Sequence, residues 1–386
     1  MLIPRHISAT LALARKTFPA VLVTGARQTG KTTLLRHEAG EGTAYATLDD
    51  PFTRDFARSD PKGFLAQFSG PVILDEVQHV PELLTYLKIA IDADRRPGRF
   101  LLTGSQQFPL KRGVSESLAG RVAVLDLLPF SLAEFPGDDL AAWLWHGGYP
   151  VCALDSAARD LWLKNYVQTY LERDVRELLE LRDVAAFGRF LMLCAARHGQ
   201  VLNMAHLSRD SGVSQPTIKH WLSVLEASYL IHRLPAWSGN LGKRLTRSPK
   251  LYFIDPALVA YLTRHPAPES LLPGPMGGVL FEGLIVAEAL KAFAERGLAP
   301  SIYHFRSLDG IEVDLLLDFG TAILPVEIKL TATPSTGHLA PLRSLRKVGS
   351  APWHPQSWLV CNVAETQPMP EGALAVPWSR FPAMLA

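Results

Sequence analysis

Apolar positions in the first third of the chain fall into two patterns. Val21-Leu22-Val23, Val72-Ile73-Leu74 and Phe100-Leu101-Leu102 are short apolar runs without polar alternation. Such runs suit strands buried on both faces of a parallel sheet. Tyr45-Ala46-Thr47-Leu48 and Val122 to Leu128 add two more candidate strands. Between them the spacing turns helical at Leu83, Leu84, Leu87 and Ile91. Ile7, Leu11, Leu13 and Ala14 predict one short amphipathic helix before the first strand. Strands alternating with helices predict an α/β domain with a parallel sheet over residues 1–135.

Farther along, residues 157–182 read as a long helix with Leu161, Trp162, Tyr166, Tyr170 and Leu178 on one side. Glu172, Arg173, Asp174, Arg176 and Glu177 make it densely charged, as a solvated face with i,i+4 pairs would be. Asn203 is a plausible N-cap, Gly212 a turn, and Ser214 a second cap with Pro216 in the first helical turn. With Val213, Ile218, Leu222 and Leu225 packing the second helix, this predicts a helix-turn-helix. Tyr229–Leu234 and Lys250–Ile254 then read as two wing strands. Prolines 266, 268, 273 and 275 and glycines 274, 277 and 278 predict a linker. A helix from Leu280 and strands at Ile302–Arg306, Glu312–Leu317 and Leu324–Lys329 follow. The expected boundaries are 1–135, a helical connector at 136–195, a winged helix-turn-helix at 196–265, and a last α/β domain at 266–386.

Composition narrows this only modestly. The 386 residues are 48% hydrophobic and 20% charged, an ordinary globular balance with room for two or three domains. A net charge of +2 provides no global basic field, so any nucleic-acid contact has to come from a local patch. Cys152, Cys194 and Cys361 are too scattered for a zinc pattern or a disulfide framework. No apolar run approaches a membrane span and no signal-peptide core is present, so the expectation is a cytoplasmic protein without a membrane partner.

The chemistry starts at Gly25-Ala26-Arg27-Gln28-Thr29-Gly30-Lys31-Thr32, placed between an apolar strand and a helix. This is the phosphate-binding P-loop, or Walker A, pattern. Gly25 and Gly30 allow a sharp turn and a close backbone approach to polyphosphate. Loop N–H groups and the following helix N-terminus favour anionic phosphate, and Thr33 completes the binding set. Lys31 reaches phosphate oxygens as a point charge, and Thr32 is placed to ligate Mg²⁺. Asp75-Glu76 ends the Val72–Leu74 run, where open α/β sheets bind ligands. As a Walker B segment, Asp75 would hold the magnesium shell and Glu76 would orient or deprotonate water. Ser105, with Thr103 and Gln106 as rivals, is the candidate sensor; a plain strand-end turn at Gly104 is the alternative. Arg121 is a candidate arginine finger acting on a neighbouring subunit of a homo-oligomer, or else a surface arginine.

The order Gly25–Thr32, Leu74–Gln78, Leu102–Gln106 and Gly120-Arg121 resembles a family of bacterial and archaeal AAA-type ATPases. Tyr170–Val175, Lys250–Asp255 and the late acidic motifs extend the resemblance over almost the whole chain. It implies ATP binding, with hydrolysis as an expectation, ahead of a C-terminal domain of unknown function. It does not imply a biological role. Glu282 on a helix, Asp314 on a strand and Glu327-x-Lys329 on the next strand resemble a PD-(D/E)XK nuclease core, that is, a restriction-endonuclease-like α/β domain. There Asp314 and Glu327 would ligate Mg²⁺, Lys329 would orient the nucleophile or neutralise charge, and Glu282 would add a metal or supporting contact. An inert nuclease-like fold used for binding is the alternative. Lys219, His220, Lys243, Arg244 and Arg247 are candidates to meet DNA phosphates. The competing expectation is a nucleotide-controlled switch whose rear domains bind a protein partner and cut nothing.

Overall fold

The computed structural model describes residues 2–104, 118–169, 184–238, 247–307, 309–347 and 351–385. Ser105, Gln106, Tyr170–Val175 with Arg176, Glu177 and Leu178, and the pair Lys243 and Arg244 lie outside the described residues. The chain groups into two compact units. One holds residues 1–130 together with Ala227–Tyr229 and Phe293–Ala299, and the other holds the remainder.

In the first unit, strands β1 (Ala20–Thr24), β2 (Ala44–Thr47), β3 (Val72–Asp75), β4 (Phe100–Gly104) and β5 (Val122–Asp126) form one sheet. Its order is β2-β3-β4-β1-β5, and each neighbouring pair is parallel. Every residue of β1, β3 and β4 is buried, as their unbroken apolar runs require. Alternation then sorts these residues by face. Leu22, Leu74 and Leu102 join Phe64, Leu83 and Leu87 on one side. Val21, Val23, Ile73 and Leu101 join Ile7, Leu11, Leu34 and Leu35 on the other. Each such side chain contributes about 1.5–3 kcal/mol as an upper bound. The helix Ile7–Thr17 buries Ile7, Leu11 and Ala14, but Leu13, expected on that face, is 66% exposed. Positions 7, 11 and 14 form one stripe at helical spacing, and 13 falls beside it.

The second unit is built differently. Helices Leu140–His146, Arg159–Thr169, Val184–Ala196 and Pro256–Leu262 lie in its earlier part. The helix from Arg159 buries Arg159, Leu163 and Tyr166, whereas Leu161, expected inside, is 68% exposed. The pair Met204–Ser211 and Gln215–Ala227 forms at the predicted place. Asn203 caps the first helix by accepting from His206 N, and Gly212 closes it with φ 73°. Strands β6 (Ile231–Leu234) and β7 (Lys250–Phe253) pair antiparallel behind it.

Strands β8 (Ile302–Arg306), β9 (Glu312–Asp318), β10 (Ile323–Ile328), β11 (Ser357–Cys361), β12 (Gln367–Met369) and β13 (Ala373–Pro377) complete a mixed sheet. Its order is β12-β13-β11-β10-β9-β8, with parallel pairs only at β10/β11 and β11/β13. The compact grouping has no break at 195/196 or 265/266. Val201 bridges Lys250, and Ala236 bridges His304, so the β6–β7 region is stitched to its neighbours through the backbone. The Pro/Gly stretch of residues 266–278 is mostly half-buried or exposed. Leu271 within it is fully buried, and a Cβ on Gly277 would come within 2.2 Å of the Leu272 carbonyl oxygen.

Candidate functional site

Because every strand of the first sheet runs the same way, Thr24, Asp75 and Gly104 end at one edge. Gly25 leaves β1 at φ 149°, and a Cβ there would stand 2.1 Å from the Leu127 carbonyl oxygen. Gly30 takes φ 92° as the residue before the helix Lys31–Glu38. Gln28, at φ 61°, also turns left-handed. The Lys31 ammonium lies inside the loop, donating to the carbonyls of Ala26 (2.9 Å) and Gly25 (3.2 Å). The Thr29 hydroxyl closes the loop onto Ala26 O at 3.0 Å.

Asp75 is held only by hydroxyl groups among the described residues. Thr32 Oγ1 donates to its Oδ1 at 2.8 Å, Thr103 Oγ1 donates to the same oxygen, and Tyr45 OH donates to Oδ2 at 2.9 Å. Oxygen donors from Thr32 and Asp75 are hard ligands of the kind Mg²⁺ takes, so the residues present fit that ion. Glu76 adopts φ 56°, ψ 50°, a left-handed conformation costing about 1–3 kcal/mol in a non-glycine residue. Its N–H donates to Thr103 Oγ1 at 2.9 Å, and Gln78 Nε2 donates to its carboxylate. Thr103, one of the rivals to Ser105, therefore ties Asp75 to Glu76.

Arg121 is placed away from this edge. It precedes β5 at the opposite end of the sheet, where Nε and Nη2 donate to the two oxygens of Asp92 at 2.7 and 3.0 Å. In this chain that fork makes Arg121 part of an exposed ion pair at the end of the sheet away from its own P-loop.

Sequence reading missed four residues around the loop. Arg5 donates to Thr29 O (3.0 Å) and Leu128 O (2.7 Å), bracing the loop from the chain start. Tyr45 reaches Asp75 from the neighbouring strand. Asp126 accepts from Thr24 Oγ1 at 2.7 Å and from the hydroxyl of Tyr229. None of these belongs to a local motif; adjacency in the folded sheet brings them in.

In the second unit, Glu282, Asp314, Glu327 and Lys329 come together. Lys329 Nζ lies 3.0 Å from Asp314 Oδ2 and 2.7 Å from Glu327 Oε1, so both carboxylates turn to one ammonium. Asp314 also accepts from Ile328 N at 2.9 Å. Glu282 accepts from Lys250 Nζ at 3.0 Å and from the Tyr252 hydroxyl. Lys250 lies 2.6 Å from Glu312 as well. Burial, then the charge of Asp314, pushes the Glu327 carboxyl up to about 8 and raises that of Glu282. Burial pulls the Lys329 ammonium down, but Asp314 and Glu327 outweigh it and hold the group above its ordinary range. Lys250 and Tyr252 were not singled out as site residues, because β7 precedes the acidic motifs by dozens of residues, and Glu312, two residues before Asp314 on β9, belongs to no motif of its own.

Lys219 and His220 are exposed on the helix Gln215–Ala227. Arg247 donates to the Arg306 carbonyl at 3.2 Å. No described helix is long and apolar enough to cross a membrane.

Residues 17–136 match a family described as an AAA domain. Residues 137–269 and 277–381 match two domains of unknown function, DUF8612 and DUF4143. Among solved structures, a Walker-type ATPase of Pyrococcus abyssi aligns at TM-score 0.46 and 16% identity, covering 68% of this chain and 96% of that one. The RuvB Holliday junction branch migration motor of Thermotoga maritima aligns at TM-score 0.32 and 17% identity, covering 60% and 90%. The uncharacterized proteins Rv2008c of Mycobacterium tuberculosis and Mb2031c of Mycobacterium bovis are each 36% identical over 339 residues, 86% of this chain and 75% of theirs. An AAA domain implies ATP binding and points to an ATPase. The chain belongs to the same family as these mycobacterial proteins, and in it an AAA-type P-loop ATPase domain is followed by the DUF8612 and DUF4143 domains.

Proposed function

We propose that the first unit is a Mg²⁺-dependent ATPase whose turnover is associated with DNA. The observation that carries the ATPase reading is the 2.8 Å contact between Thr32 Oγ1 and Asp75 Oδ1. It brings the Walker A hydroxyl and the Walker B carboxylate to one point, with Glu76 as the next residue. Thr32 and Asp75 would hold Mg²⁺, which would supply charge neutralisation for the phosphate groups. Lys31 exchanges its carbonyl partners for phosphate oxygens. Glu76 takes the proton of the attacking water, and Thr103 holds Asp75 and the Glu76 backbone in mutual register. Turnover measured with Mg²⁺ tests this. Asp75→Asn should retain ATP binding and lose hydrolysis, and equal turnover in both proteins would reject the assignment.

A second reading concerns the rear unit. The meeting of Asp314 and Glu327 at Lys329, with Glu282 in the same cluster, favours a PD-(D/E)XK-like nuclease site. The exposed Lys219 and His220 on the second helix of a helix-turn-helix, followed by two antiparallel strands, favour a winged helix that meets DNA phosphates. Duplex DNA affinity should fall steeply with salt, and Lys219→Ala should lower the salt slope by about one. Affinity independent of salt would favour a protein partner instead. DNA cleavage with Mn²⁺, lost in Asp314→Ala and kept in Lys31→Ala, would support a separate nuclease centre.

A further inference from the structure

The acidic cluster of the rear unit contains more cation than its motif supplies. Glu282, Glu312, Asp314 and Glu327 bring four carboxylates, and two ammonium groups already lie among them. Lys329 bridges one pair. Lys250, whose side chain is 4% exposed, bridges the other, with Nζ 3.0 Å from Glu282 and 2.6 Å from Glu312. Lys250 and Tyr252 are two apart on β7 and so share a face, and both converge on the same oxygen, Glu282 Oε1. That oxygen is one a divalent ion would need. Among the described residues, no three His, Cys, Asp or Glu side chains gather in a ready-made metal centre. Glu327 Oε2 is buried without a hydrogen-bond partner, so acceptor capacity remains beside the two lysines.

We infer that Lys250 is an internal counter-ion that keeps this cluster closed to divalent cations, and that a metal ion enters at Glu282 only as this ammonium leaves. The inference rests on the reading of the cluster as a nuclease-like cation site and concerns its regulation. An ammonium bridging two carboxylates does the electrostatic work of a divalent ion with half the charge. Taking it away leaves two half-buried carboxylates without a cation, and such a state recruits one strongly. A lysine with a merely structural role would leave metal affinity unchanged or weakened when removed.

The test uses the full chain, free of nucleotide and carrying Asp75→Asn to silence the first unit's metal ligand. Free Mn²⁺ is followed by electron paramagnetic resonance. Lys250→Met should bind one Mn²⁺ at least about ten-fold more tightly than the background protein. Adding Asp314→Asn should remove that gain, and Lys250→Arg should behave as the background does. Equal or weaker Mn²⁺ binding in folded Lys250→Met overturns the inference. If Lys250→Met does not fold, the background protein decides: Asp314-dependent Mn²⁺ binding in the micromolar range overturns the inference, and its absence supports it. The nuclease reading fails separately. A Lys250→Met protein that gains Mn²⁺ but cuts no DNA leaves the counter-ion standing and removes the nuclease. A parent protein that binds Mn²⁺ tightly and cuts DNA does the reverse.

Discussion

The two polar sites of this chain solve the problem of a buried carboxylate in opposite ways. Asp75 is surrounded by three hydroxyl donors, and no ammonium or guanidinium touches it among the described residues. The nearby Lys31 is turned to neutral carbonyls instead. In the rear cluster every carboxylate contacts a lysine. The first arrangement orients a negative charge without neutralising it, which suits a centre that receives a cation together with its nucleotide. The second balances its charge internally and gains rigidity, because removing one partner strands another.

The largest expected effect bears on the first site. Glu76→Gln should bind ATP as the parent does, while turnover falls by about 10²–10⁴-fold, the usual worth of a positioned general base. Turnover at the parent rate would erase the functional half of the contrast.

Removing one lysine from each site sharpens the comparison directly. Lys329→Met leaves Asp314 and Glu327 without their shared ammonium. Because that ammonium is partly exposed, the loss should be about 2 kcal/mol, below the 3–5 kcal/mol of a fully buried pair. Lys31→Met breaks the bonds to the carbonyls of Gly25 and Ala26. It should melt within about 1 kcal/mol of the parent, yet lose about 1.5–3 kcal/mol of ATP affinity. Equal melting losses in the two variants would mean that the sites are not built differently.

The smallest effect is in pH. Burial pulls His198 from 6.5 down to about 3, and its Nδ1 accepts from Phe253 N at 3.1 Å. A Cβ on Gly283, next to Glu282, would lie 1.9 Å from its Nε2, so this histidine backs the rear cluster. The unfolded chain takes up the proton first. Stability should therefore decline as pH falls from 6.5 towards 3, by at most about 1.4 kcal/mol per pH unit. Acid melts followed with probes in each unit should show the rear unit losing stability first. Loss confined to the first unit would contradict this placement.

Much of the first site was legible because its parts are local. The spacing of Gly25, Gly30, Lys31 and Thr32 and the acid pair after Val72–Leu74 each specify a turn or strand end within a few residues. The helix pair at 204–227 was legible for the same reason, since Asn203 and Gly212 act on their own helix. Errors came where one position in a periodic stripe mattered, as at Leu13 and Leu161.

By itself, the sequence determined the strands of the first sheet, the helix pair at 204–227 and the strands at 302–328, and it set the P-loop residues and the acid pair at strand ends. Backbone sterics and apolar periodicity act over one or two turns of chain, and they are written in adjacent residues. Tertiary structure alone decided that Tyr45 and Thr103 hold Asp75, that Arg121 pairs with Asp92 away from the nucleotide edge, and that Lys250 reaches Glu282 and Glu312. Strand order and side-chain direction set those contacts. They follow from how whole elements bury their apolar faces together, a property that no short stretch of sequence contains.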